Sequence, residues 1–542
     1  NNYYKKDFNI TITELVPVNE FLPSTGNWSS ISNWSKNRLP LATDNVNIPS
    51  GKTVNVDVSN AVAKDVAVIG LLNINAGKYL YIAGNLTTSG GLVVKSNATS
   101  SGSLIVDGTS TGNISYQRYI KSNSSWFVIS SPLENQDIDV FANSSALAVG
   151  SIGNNRGLSN YNAITQTWGY YQNGTTTSGD FLLGDARAVR LSNSGNVTFI
   201  GDLRTTNFTK SVVSNGAGWN LIGNGFPSFL NANDPANSTN NLIDVNFSLL
   251  ETGYKAIYFW DTNTNTYKPF NNASSGKYVS PGQGFFVKIG TNGNFAFNKN
   301  MQTHQTGDLF FKGNKTDNFE INLKLSNGKN LKNTEIKYIK GSTTGLDDGY
   351  DAGLFSADTN LDIYTHLVEN DSGTKYALQA LPNLNHTNMI IPIGVNAKEN
   401  TAITFSADIV NLPKGIVVYI EDKVADKLIR LDQNSATYQI TTAEALNGKG
   451  RFFIHTQNQT LSTKDTNINS VLVYTNKNKL NIKGLQEAGA IKMFSILGKQ
   501  VVYKTLSNNL EHNLDVSKLS KGVYLIEIKT NTQIIKRKVI LE

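Results

Sequence analysis

From about residue 14 to residue 116 the chain alternates short apolar runs with polar breaks. The runs at 45–48, 53–58, 71–74, 79–82, 91–94 and 103–106 recur every 10 to 20 residues, each bounded by Gly, Asn or Ser. Period-two alternation over four to six residues marks strands, and regular recurrence marks stacked rungs. The expectation is a right-handed β-helix or similar solenoid over 14–116, with a twisted β-sandwich as the alternative. Residues 1–13 are polar and read as a linker. From 117 to 310 the chain becomes aromatic-rich, which predicts a central β domain of strands and abrupt turns. Two of its segments, 125–132 and 218–228, share a Trp, an apolar run and a following Pro, a hint of internal duplication. From 316 to 457 the alternation is cleaner, as at 319–325, 335–339, 416–422 and 451–455, and predicts a β-sandwich. A Thr/Ser/Asn-rich stretch near 456–467 reads as a linker. The last segment, 468–542, holds about seven short strands.

Composition agrees with an all-β chain. Tyr and Phe together number 46, against 3 Met and 12 Pro; aromatic and β-branched residues suit pleated, half-buried surfaces, and Asn and Gly suit tight turns. At 542 residues several domains are expected. With no Cys there is neither a disulfide nor thiolate chemistry. No run of 18 apolar residues occurs, so no transmembrane helix is expected. The first residues, Asn1 and Asn2, carry neither Met nor a signal peptide, so either a targeting segment has been removed or the chain is a fragment.

Charge divides the chain. Residues 468–542 hold 12 Lys+Arg and 5 Asp+Glu, while the rest holds 36 of each, so the whole net charge of +7 lies in the last segment. Confinement of the positive charge there argues against nucleic-acid binding by the body. A neutral body with a basic module implies two tasks, one of them recognition of the tail by something else.

That tail carries three ordered elements: a Phe-Ser-x-x-Gly-Lys turn at Phe494, Gly498 and Lys499; a Leu-x-x-Gly-x-Tyr segment at Leu519, Gly522 and Tyr524; and a closing basic strand with Lys536, Arg537 and Lys538. In this it resembles the type A C-terminal sorting domain of cargo exported by the type IX secretion system of Bacteroidota. One departure is visible: the family's Pro-Asn-Pro is replaced by Val473, Tyr474, Thr475, Asn476 and Lys477. The resemblance implies an immunoglobulin-like β-sandwich at 468–542 and these nine residues as the sorting signal. It also implies passage through the periplasm, recognition by a barrel shuttle protein, and transit through the outer-membrane translocon. The tail is then removed, and the body is released or held at the cell surface. In the body, the segments 219–227 and 282–287, the turn at 345–352 and the Trp28 and Trp34 start resemble recurrent stretches of long flavobacterial cell-surface β proteins. For Lys536, Arg537 and Lys538 two readings stand: contact with acidic loops or lipid head groups, or a solvated guard on a terminal strand.

Little in the body marks catalysis. The five histidines, His304, His366, His386, His455 and His512, show no metal-binding spacing. No phosphate loop occurs, and no cofactor is expected. The acidic turn Asp347, Asp348 and Asp351 is a weak calcium candidate, with a structural turn as the plainer reading. The stretch from Asp261 to Asn265 reads as a hairpin loop. Trp28 and Trp34 read as a cap on the first rung. Trp168, Tyr170, Tyr171, Trp260 and Tyr267 either stack on sugar rings or form core. The leading expectation is a non-enzymatic surface or secreted protein whose body serves adhesion, gliding-related contact or binding of a surface polysaccharide. The alternative is a polysaccharide lyase or hydrolase on the β-helix, using Asp57, Asp65 or Asp107.

Overall fold

The protein is seen in a computed structural model that describes residues 18–121, 125–174, 178–262, 264–276, 278–305, 317–356, 360–384, 386–458, 471–476, 478–485, 487–531 and 534–541. The linker expected at 1–13 lies outside the described residues; of the one expected near 456–467, residues 456–458 instead end the strand Leu446–Asn458 and 459–467 lie outside the described residues. The chain forms two compact units, Asn1–Gln459 and Thr460–Glu542.

The first unit begins as a coil of parallel strands in three sheets. One runs through Val18–Glu20, Asn45–Ile48, Val66–Val68, Leu86–Thr88 and Ser110–Thr111. A second runs through Thr25–Asn27, Thr53–Val56, Leu71–Ile74, Gly91–Val94 and Ile114–Ile120, and a third through Ala61–Ala63, Tyr79–Ile82 and Ser103–Val106. Successive turns pair in register, so Val54, Leu72 and Leu92 align in one column and Val56, Ile74 and Val94 in another. All six are buried, which is why the sequence alternates: one side of each rung feeds a shared core. Corners need glycine where rungs touch. A Cβ on Gly90 would lie 2.1 Å from the Gly70 carbonyl oxygen.

Trp28 and Trp34 are each 1% exposed and meet edge to face at 4.8 Å, with Phe21 against Trp34 at 5.4 Å. The Trp34 Nε1–H donates to the Trp28 carbonyl at 2.9 Å. Both indoles belong to the coil's core.

The boundary expected between 116 and 117 falls inside a strand. Ile114–Ile120 pairs in parallel with Gly91–Val94 and antiparallel with Gly195–Gly201, so the coil's sheet runs on into the central region. That region is a duplication. In its first copy, Phe127–Ser130, Ala186–Val189, Asn155–Asn162 and Thr167–Gln172 lie side by side in that order. In its second, Trp219–Gly223, Gly284–Lys288, Ile257–Asp261 and Thr266–Phe270 repeat the order. In both, a strand before this sheet pairs with a strand after it: Ile114–Ile120 with Gly195–Gly201, and Phe208–Val212 with Gly293–Phe297. Two short strands occupy the same places, Gln136–Asp137 with Asp180–Phe181, and Phe229–Asn231 with Tyr278–Val279.

Residues 319–458 do not form the expected two-layered sandwich. They form one 11-stranded sheet running from Lys427–Arg430 at one end to Tyr438–Thr441 at the other. Its ends approach each other. Phe405 and Phe452, from strands near opposite ends, pack at 4.7 Å, and Asp422 accepts from the Tyr438 hydroxyl at 2.9 Å. Asp422 is fully buried and also accepts from Arg451 Nε and Nη2 at 2.9 and 2.7 Å. Burial resists its charge, yet the Arg451 hydrogen bonds keep the carboxylate below its ordinary range. The sheet curls around one core, and its sequence alternates as a sandwich's does because each strand still has one buried face.

The second unit is a small sandwich. Leu472–Asn476, Lys479–Lys483 and Glu511–Asp515 form one sheet, and Gln500–Leu506, Gly489–Ser495, Gly522–Thr530 and Ile534–Leu541 form the other. Leu480, Ile482 and Leu514 meet Ile491, Met493, Ile526, Ile528 and Val539 in its core.

Candidate functional site

The tail's motif residues have distinct physical tasks. Gly498 turns the chain at φ 81°, with the Ser495 N–H donating to the Lys499 carbonyl at 2.8 Å and the Gly498 N–H to the Ser495 carbonyl at 2.9 Å. Lys499 is exposed at that turn. Leu519 packs against the sandwich core. Gly522 has φ 149°, a conformation that side chains disfavour, and opens the strand that carries Tyr524. The Tyr524 ring is 7% exposed, and its hydroxyl donates to the Ser520 carbonyl at 2.8 Å, tying the loop to the strand. Leu519, Gly522 and Tyr524 therefore shape the fold of the tail, whereas Phe494, Lys536 and Lys538 sit on its surface.

The three consecutive basic residues do not form one cluster. Strand alternation sends Lys536 and Lys538 to the exposed face of Ile534–Leu541 and Arg537 to the other, where its Nη2 reaches the Val471 carbonyl at 3.5 Å. Sequence reading missed the residues that share the face of Lys536 and Lys538. Their signal was available: in 522–530 and 534–541 the positions alternating with the buried ones include Leu525, Ile534 and Ile540, which are apolar and about half exposed.

In the body, the two copies place equivalent aromatic hairpins together. Tyr161 and Trp168 meet at 5.2 Å, and Trp260 and Tyr267 meet at 4.8 Å, with interplanar angles of 58° and 59°. The loops match as well. Gln166 and Asn265 both have positive φ, 57° and 48°, and the Thr165–Thr167 hydroxyl contact of 2.8 Å is repeated by Thr264–Thr266 at 2.6 Å. Tyr161 and Tyr267 both pack on Phe286, at 5.0 and 5.1 Å, and Tyr267 stacks on Phe355 at 4.2 Å. The four hairpin aromatics are half-buried against this shared cluster. Among the described residues the Trp260 Nε1–H is buried without a hydrogen-bond partner. Tyr170 is 48% exposed beside Trp126, and the Tyr171 hydroxyl donates to Asp139 at 2.6 Å.

The acidic turn points its carboxylates apart. Asp347 accepts from the Thr343 N–H at 2.6 Å, and Asp348 accepts from the Gly253 N–H at 2.8 Å and pairs with Lys255 at 3.2 Å. Asp351 is fully buried and accepts from the Asp347 and Ala380 N–H groups at 2.6 and 2.7 Å. Burial pushes its carboxyl up to about 7. The turn thus pins the loop to the central region and the large sheet. On the coil, Asp57 accepts from the Ser29 N–H and hydroxyl, Asp65 from the Asn85 N–H, and Asp107 from the Tyr81 hydroxyl, three separate corner contacts. The histidines are also dispersed. His455 meets Glu421 at 2.9 Å, His366 meets Asp371 at 3.3 Å, His386 meets the Asn383 carbonyl at 2.8 Å, and His512 meets the Ser507 carbonyl at 3.1 Å. His304 stacks on Tyr79 at 4.2 Å with Nδ1 2.8 Å from the Ser103 hydroxyl. Among the described residues, no three His, Asp or Glu side chains are grouped to hold a metal ion.

A family model described as Domain of unknown function (DUF8693) matches residues 23–455, and one described as Secretion system C-terminal sorting domain matches residues 473–542. No curated protein matches the chain. Among solved structures, one titled "Biofilm associated protein - BSP domain" is similar at 7% identity, covering 80% of this chain and 96% of its own, with a TM-score of 0.14. At that score the likeness establishes no common fold.

Proposed function

We propose that this chain, which belongs to the family described as Domain of unknown function (DUF8693) and carries a secretion-system sorting domain, is a binding protein delivered to the outside by that domain. The sorting domain makes it type IX secretion cargo, exported to the cell surface or the extracellular space. The finer reading is that an outer-membrane barrel shuttle and the translocon recognise the tail, and that the body then acts by adhesion or in gliding-related contact. The observation that carries the export reading is the match over 473–542, on a sandwich whose motif residues shape its turns and one exposed face. Deleting residues 468–542 is expected to leave the body in the periplasm. Undiminished appearance of the deleted protein outside the cell would sink this reading.

For the body, the paired aromatic hairpins support contact with a surface polysaccharide, since half-exposed rings stack on sugars. The reading is non-enzymatic: Asp57, Asp65 and Asp107 are each engaged at a different corner of the coil. A glycan array with the full chain should show binding that falls when Trp168 and Trp260 are replaced by Ala. Release of reducing or unsaturated ends from any polysaccharide on the array would overturn the non-enzymatic reading.

A further inference from the structure

The exposed face of the four-stranded tail sheet has a layout of its own. Register puts Phe494 beside Leu525, and Leu525 beside Lys538. Ile540, opposite Val523, lies two residues along from Lys538 on the same face. Leu525 and Ile540 are 49% and 54% exposed, so this end of the sheet is an uncovered apolar patch. The next row crosses all four strands as Tyr503, Lys492, Glu527 and Lys536. Lys529 follows, paired with the exposed Ile534.

Four lysines on this face therefore meet one carboxylate. Glu527 reaches Lys536 only at 3.6 Å, and Lys536 is 76% exposed, so that pair is weak and screened. A sheet with one face in water ordinarily turns polar residues outward. Here Phe494, Leu525 and Ile540 group at one end of the wet face, Tyr503 and Ile534 add apolar surface farther along, and four lysines lie among them, the mixed apolar and charged make-up of a protein interface.

We propose that this face docks on an acidic protein surface with an apolar centre, belonging to the machinery that reads the tail; the proposal rests on the tail's being a sorting signal. Charge selects the occupant. A second copy of the chain, docked by the same face about a two-fold axis, would bring lysines against lysines. An acidic surface pairs the lysines of three successive rows while the apolar end packs. A lipid surface would attract the lysines equally, and the test separates it.

The test uses the full chain in the secreting cell. One variant combines Leu525→Ser with Ile540→Ser; a second combines Lys536→Glu with Lys538→Glu, at exposed positions where the fold has least to lose. Each is expected to lower the amount outside the cell by about tenfold or more, with the body retained in the periplasm. Lys518→Glu with Lys521→Glu, exposed in the loop before the Tyr524 strand, is expected to leave export unchanged. If the deletion of 468–542 blocks export while both face variants pass normally, the docking face is refuted and the sorting reading stands. If the deletion itself is exported, the sorting reading fails first. Any charge-driven binding of the purified full chain to vesicles containing phosphatidylglycerol should be unchanged by Leu525→Ser with Ile540→Ser. Anionic-vesicle binding that falls in both face variants together with export would assign the face to lipid and overturn the protein partner.

Discussion

The two copies of the central region share a strand order, yet they are stabilised differently. In the first copy, Ile114–Ile120 extends a sheet of the coil, and its Tyr116, Phe181, Val197 and Phe199 join one core with Val54, Leu72 and Val94. In the second, the equivalent strand Phe208–Val212 pairs with Gly293–Phe297, and Phe208, Phe285, Phe295 and Phe297 form a separate core. The topology is carried by strand alternation and by matching turns, which many sequences satisfy. What each copy leans on is carried by the neighbour its first strand meets. The first copy is thus the closing element of the coil, while the second builds its own interior.

The largest expected effect breaks that comparison at its cores. Phe199 stacks on Phe141 at 4.8 Å, and Phe297 stacks on Phe208 at 4.7 Å. Replacing either by Ala should cost about 3–5 kcal/mol. Hydrogen exchange should separate them: Phe199→Ala is expected to speed exchange in the coil strand Gly91–Val94, and Phe297→Ala to leave it protected. Equal loss in both variants would show that the second core also supports the coil.

A smaller effect concerns the contact of the second copy's trailing segment with the coil, His304 on Tyr79. Burial holds the His304 imidazole down to about 4, against an ordinary value near 6.5. The unfolded chain then binds more protons than the folded one between those values, so stability rises with pH across that window and is lost as pH falls. The expected loss is on the order of 2 kcal/mol by pH 5. Chemical denaturation at pH 7 and pH 5 should show a steeper fall for the native chain than for His304→Gln; parallel falls would place the imidazole in water.

The smallest effect sharpens the likeness of the hairpins. Gln166 and Asn265 hold the same positive φ, which Gly adopts without strain and Gln tolerates less well than Asn. Gln166→Gly should therefore stabilise by about 1 kcal/mol, and Asn265→Gly should do less, as read from thermal midpoints. The opposite ranking would show that the two turns are not equivalent.

Much of this was legible along the chain. Runs such as 53–56 and 71–74 marked rungs, the tail's turn at Gly498 and its Leu519, Gly522 and Tyr524 segment were plain, and the two Trp-and-Pro segments pointed to duplication. The aromatic hairpins were noticed residue by residue but not as a pair, because their equivalence lies in φ at Gln166 and Asn265 and in a shared neighbour, Phe286.

The sequence by itself determined that the chain is all-β and where its strands fall, because period-two alternation and turn chemistry are local properties; the tail's motifs added, by resemblance alone, that it is a sorting domain. Only the tertiary structure decided which strands are neighbours. It joined Ile114–Ile120 to the coil, curled 319–458 into one sheet bridged by Asp422 and Tyr438, and gathered Phe494, Leu525 and Lys538 into one row. Pairing is set by backbone hydrogen bonds between segments far apart in the chain, and alternation is satisfied by any partner that covers the buried face.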